Sequence, residues 1–197
     1  MIRWREGTVT AIGRRWHGAV ELEVAITSPG AADASSVRAL AYPGLVGEPL
    51  TGDRVLLNVS AVTLGLGTGG YALVVAIPDR LPDDDVADRG DVSSAGHVVK
   101  ARYTPLQPIV LGVDEEASGH RTAMTTATDL GGMPVVVADL HSALPAIVAG
   151  IAATRPGTRI AYVMTDGGAL PAWFSRTLDG LRTAIAGTVT AGQAYGG

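Results

Sequence analysis

TRIAYVMTDGGALPAWFSRTLDGLRTA, residues 158–184, decides how the second half of the chain is read. Its first nine residues are an apolar run that stops at Asp166. Two glycines loosen the chain. ALPAWFSRTLDGLRTA then has the composition of a helix, with a proline in its first turn, where the missing N–H costs little. A strand apolar on both faces that leads into a helix predicts a parallel sheet covered on both sides.

The same texture extends outward from this segment. VVKARYT alternates apolar with basic residues and PIVLGV is a short continuous apolar run. SGHRTAMTTATDLGG is helix-compatible with Ser118 as N-cap, MPVVVAD reads as a strand, SALPAIVAGIAATRPG as a helix and GTVTAGQ as a last strand. An ALPA tetrapeptide occurs at 143–146 and again at 169–172, each time after an acid that ends an apolar run. Strands alternating with helices predict a doubly wound, Rossmann-like α/β module with a mostly parallel sheet over residues 98–197.

In such a sheet ligands bind where the strands end. The expected rim gathers Asp114 with Glu115, Asp139 with His141 and Ser142, Asp166 with Gly167 and Gly168, and Gly192 with Gln193. Asp114, Asp139 and Asp166 are the candidate ligands for Mg²⁺, and the glycines would let a phosphate approach the backbone. The competing reading is structural, because Asp is a preferred N-cap and every strand-to-helix junction needs one. A Ser142, His141, Asp166 triad lacks the G-x-S-x-G elbow that would support it. Trp173 and Phe174 read as packing residues.

Residues 1–82 have a different pattern. TVTAIGRR, AVELEVAIT, VRALAY, DRVLLNVSAV and YALVVAIP are short alternating or β-branched runs separated by glycine-rich turns, the pattern of an all-β barrel or sandwich. The glycines at 65, 67, 69 and 70 precede a strand instead of a helix, so they do not form a dinucleotide loop. Arg3, Trp4, Arg5, Arg14, Arg15 and Trp16 place cations beside aromatics, a pattern that can stack bases. Charge opposes that use: residues 1–82 hold seven basic and seven acidic side chains, and 98–197 again seven and seven. The net charge of −4 lies in 83–97, an acidic linker.

With 47% hydrophobic residues and mean hydropathy +0.26 the chain is globular, and no apolar run approaches the roughly 18–20 residues of a membrane span. The start MIRWREG carries no apolar signal core, so a cytoplasmic protein is expected. There is no cysteine, which excludes disulfides and thiolate chemistry. Of 15 basic residues 14 are arginine, so any phosphate-binding or Schiff-base lysine is Lys100; no glycine-rich loop precedes it.

GHVVKARYTPLQPIVLGVDEE, LGGMPVVVADLHSALPAIVAG, RIAYVMTDGGALPAWFSRTLDGLR and GTVTAGQAYGG resemble an uncharacterised bacterial protein family, domain of unknown function 3866. The resemblance implies no activity, substrate or catalytic residue. Family members run on past the point where this chain stops, which implies that it is the N-terminal part of a longer protein. A last strand without a returning helix gives the same expectation. Near residue 119 the family has a proline and a second histidine where this chain reads SGHR.

No stretch names a reaction, and the residues do not decide between binding and turnover. The expected function is binding of a phosphorylated or ribose-bearing small molecule at the sheet rim, with Mg²⁺ as a candidate companion. The rival expectation is a non-enzymatic interaction or assembly protein, a homo-oligomer that uses the β domain and an uncovered sheet face.

Overall fold

A computed structural model describes residues 2–27, 36–66, 68–81, 96–104, 106–166 and 171–197. The chain divides into two compact units, Met1–Asp83 and Asp84–Gly197. Most of the acidic stretch 83–97, and the predicted site residues Gly167 and Gly168, lie outside the described residues.

In the first unit β1 (Trp4–Trp16), β2 (Ala19–Ile26), β3 (Ser36–Ala41), β4 (Arg54–Asn58) and β5 (Ala72–Ala76) close into a barrel in the order β1-β2-β3-β5-β4. Only β3 and β5 pair in parallel. This strand order makes a Greek-key barrel with the connectivity of OB-type folds. A one-turn helix, α1 (Pro43–Val46), precedes β4, and α2 (Ser60–Thr63) follows it.

The alternation read in the sequence is what closes the barrel. Val20, Leu22 and Val24 of β2 are buried, while Glu21 and Glu23 between them stay partly exposed. With Val9, Val55, Leu57, Ala72 and Val74 they form one core. β1 is long enough to pair with both β2 and β4, and register shifts at 9–11 and 12–15 bend it between them. Gly7 lies where both ladders overlap, opposite Ile26 on one side and Val55 on the other. A Cβ there would meet Val24 Cγ1 at 2.5 Å and Ala25 O at 2.6 Å. Gly7→Ala is therefore expected to destabilise the barrel by about 1–3 kcal/mol, as overpacking does, measured as a lower urea midpoint with an unchanged slope.

The barrel's arginines are largely engaged with acids. Arg54 grips Asp79 through two nitrogens at 3.0 and 2.7 Å, Arg80 grips Asp53 at 3.1 and 2.6 Å, and Arg15 pairs with Glu48. Arg38 donates to Glu21 at 3.0 Å and lies over the Tyr71 ring. Hydrogen bonds from these arginines hold the Glu21, Asp53 and Asp79 carboxyls below their ordinary range. Trp16 is buried, so of the two tryptophans beside arginine only Trp4 presents its ring at the surface.

The second unit corrects the doubly wound expectation. β6 (Val98–Val99) and β7 (Ile109–Val110) form an antiparallel pair of two-residue strands. α3 (Arg121–Thr126) is short and exposed, and the predicted strand MPVVVAD is irregular, with Val135, Val136 and Val137 at 65%, 59% and 90% exposure. Among the described residues of this unit, only β8 (Ile160–Met164) and β9 (Ile185–Thr190) pair in parallel. α4 (Leu144–Thr154) precedes β8, and the predicted helix after Asp166 breaks into a 3₁₀ turn at Ala172–Phe174 and α5 (Arg176–Gly180).

Each difference has a local cause. Thr125 and Thr126 return their hydroxyls to the carbonyls of Arg121 and Thr122, and such β-branched, back-bonding residues support a helix weakly. Ser175 is extended at φ −82°, ψ 102°, which ends the 3₁₀ turn and caps a new helix. The valines of 135–137 have strand propensity, but propensity becomes a sheet only where a neighbouring edge supplies hydrogen bonds. No described helix is long and apolar enough to cross a membrane.

Candidate functional site

β8 and β9 run the same way, so the residues that follow them meet at one edge. Asp166 follows β8, and its Oδ1 accepts from the amides of Gln193 and, at 3.2 Å, Ala194, both beyond β9. Gly192 turns the chain with φ +62°, and a Cβ there would collide with the Asp166 carboxylate. Glycine is required here for both conformation and space.

The β6–β7 hairpin delivers a third segment to this edge. Lys100 follows β6, and its amide extends the ladder to Pro108 O at 3.0 Å. The residue is 7% exposed and its ammonium donates to Gly192 O. Ala101 donates its amide to Gln193 Oε1 at 2.8 Å. Ala101 and Tyr103 hold left-handed φ values of 48° and 62°, a conformation that costs a residue with a Cβ about 1–3 kcal/mol. The loop after Lys100 is thus held in an unfavourable form where it meets the strand ends.

A second cluster lies on the packed face of the same two strands. Met164 is fully buried among Ala172, Ala194, Tyr162 and Leu178. His141, in a 3₁₀ turn at His141–Ala143, reaches Tyr162 Oη with Nδ1 at 3.0 Å and Ser175 Oγ with Nε2 at 2.6 Å. Ser175 Oγ also accepts from Leu178 N at 3.0 Å as the N-cap of α5. Burial holds the His141 imidazole below its ordinary value of 6.5 and pushes the Tyr162 phenol up.

That shift has a measurable sign. The unfolded chain binds the His141 proton more readily than the folded one, so the contribution is complete above pH 6.5. It is lost as pH falls from 6.5 toward the depressed folded value. Urea unfolding read through Trp173, the tryptophan of this unit, should show stability falling below pH 6.5 by at most about 1.4 kcal/mol per pH unit, and His141→Gln should flatten that slope.

The predicted rim is therefore brought together in part. Asp166, Gly192 and Gln193 meet. Asp139 is exposed in an irregular stretch, and Asp114 lies in a turn four residues past β7, so neither stands at the end of a paired parallel strand. Glu115 closes its own loop by accepting from His97 N at 2.9 Å and Gly112 N at 3.0 Å. Ser142 is exposed, and His141 bonds Ser175 instead. Trp173 packs edge-on against Tyr195, ring centroids 5.6 Å apart. Among the described residues no group of three or more His, Cys, Asp or Glu could hold a metal ion.

Three participants, Lys100, Tyr162 and Ser175, were not in the predicted site. Lys100 stood out in the sequence as the single lysine, but the glycine it serves is 92 residues away. Ser175 lies where a continuous helix is predicted. A cleft of about 380 Å³ between α4 and the residues leading into β8 and β9 lies at the other end of the strands, and its polar groups, Thr158, Arg159 and Thr183, include none of these residues.

The family model of DUF3866, a protein of unknown function, matches residues 38–197. No curated protein and no solved structure matches the chain. With well over half of its length matched, the chain belongs to the DUF3866 family.

Proposed function

We propose that the second unit binds a phosphorylated or ribose-bearing small molecule where β8 and β9 end, between Lys100, Asp166 and the 192–194 turn. The observation that carries this reading is Lys100. The residue is 7% exposed, its ammonium donates to a neutral carbonyl, and among the described residues no carboxylate pairs with it. A largely buried cation with no carboxylate partner among the described residues is costly, and an anion reaching it would supply counter-charge and acceptors. Asp166 Oδ1 is engaged by backbone amides, which leaves Oδ2 to accept from a ligand hydroxyl. Any Mg²⁺ would arrive on the ligand's phosphates, since Asp166 alone makes no protein cage.

Thermal shift against ADP, ATP and pyrophosphate, with and without Mg²⁺, tests this. At a hundred times Kd a bound ligand stabilises by about 2.7 kcal/mol, a shift of several degrees. Lys100→Gln should abolish the response. No shift from any of these anions, or an equal shift in Lys100→Gln, removes the proposal.

One observation favours an assembly role. Val163 and Val189 are register partners on one face of the β8–β9 pair and are 58% and 38% exposed. We infer a second reading in which that face meets a protein partner or another copy of the chain. Sedimentation equilibrium decides it: Val163→Lys should dissociate an oligomer, and a chain that is monomeric at tens of micromolar sinks self-association.

A further inference from the structure

We propose that Ser175 is a nucleophile toward ester carbonyls, with His141 as its base and Tyr162 as a positioning residue. Three segments remote in sequence converge to make the arrangement. Ser175 Oγ lies 2.6 Å from His141 Nε2, and His141 Nδ1 lies 3.0 Å from Tyr162 Oη. This is the order nucleophile, base, orienting group that activates a hydroxyl.

A serine needed only as a helix cap would be complete with its bond from Leu178 N at 3.0 Å. That bond occupies a lone pair of Oγ and leaves its hydrogen to point at Nε2. The network then assigns the tautomer: Nε2 accepts, and Nδ1–H donates to the Tyr162 oxygen. Burial lowers the affinity of the ring for a proton and so favours the neutral form, the one a base requires. Ser175 is itself only 7% exposed, so the approach to Oγ runs past the half-buried His141 ring. Among the described residues no cation is a hydrogen-bond partner of the three, which suits a neutral carbonyl better than a phosphoryl group.

In the reaction Oγ adds to the ester carbonyl carbon as its proton passes to Nε2. The bond from that carbon to the leaving oxygen breaks, and the departing alcohol takes the proton from Nε2. Water, deprotonated by the same nitrogen, then adds to the acyl carbon, the bond from that carbon to Oγ breaks, and Oγ takes the proton back from Nε2. The balance is ester plus water giving acid plus alcohol.

The test is reaction of the full 197-residue chain with a fluorophosphonate probe, followed by intact mass and peptide mapping. One equivalent should attach at Ser175. Ser175→Asn, which keeps an N-cap acceptor and should keep the far-ultraviolet circular dichroism unchanged, should abolish uptake. His141→Gln should slow it about 100-fold or more. The rate should rise with pH through the imidazole titration, and Tyr162→Phe should move that midpoint downward by removing the acceptor that favours the imidazolium. Folded protein that takes up no probe, equal uptake by Ser175→Asn, or a wild-type rate in His141→Gln overturns the proposal. An unmoved midpoint in Tyr162→Phe overturns the part given to tyrosine.

Discussion

Leu57→Ala is expected to lower the unfolding free energy of the first unit by about 2–5 kcal/mol, the range for a buried leucine truncated in a core that cannot fully collapse. Leu57 is fully buried in β4, opposite Arg5 of β1 and Val74 of β5. A closed barrel has no free edge to slide along, so the neighbouring strands cannot move in to fill the space without breaking ladders. Leu57→Met, which conserves volume, should cost less than about 1.5 kcal/mol. Urea unfolding followed by circular dichroism separates them, and a cost under 1 kcal/mol for the alanine variant would contradict a packed barrel.

The second large effect is expected at Gly192. A valine there must adopt φ +62°, which costs about 1–2 kcal/mol for a residue with a Cβ and more for a branched one. It must also displace the Asp166 carboxylate and its bonds to the Gln193 and Ala194 amides, worth about 1.5–3 kcal/mol for an acceptor that is charged. Gly157→Val is the control, because Gly157 has φ +79° and open space around its missing Cβ. The difference between the two variants isolates the strand-end contact. Gly192→Val should lose several kcal/mol and any anion-induced thermal shift. Equal costs at the two glycines would mean that the Asp166 contact contributes nothing.

The two units differ in how much of them was legible in advance. The barrel rests on a period of two: Val20, Leu22 and Val24 alternate with Glu21 and Glu23, and that alternation allows one face to be buried. In the second unit, apolar runs such as PIVLGV and MPVVVAD carry no period, so only their partners decide whether they become strands. β8 and β9 found each other and pair in parallel. Residues 133–139 did not, and Asp139 left the predicted rim with them. Ser175 could have been noticed as a cap, but the residue three positions on is Leu178 where a capping box would place Glu or Gln.

From the sequence alone come the division of texture between an all-β half and a strand-helix half, and the direction in which TRIAYVMTD and GTVTAGQ place Asp166 and Gly192 beyond their strands. These are local consequences of alternation, apolar runs and turn residues. The tertiary structure alone decided that Lys100 would lie buried against Gly192, and that His141 would find Ser175 and Tyr162. The reason is physical: a hydrogen bond between residues 92 or 34 positions apart depends on how the intervening chain closes, and no short-range pattern encodes that closure.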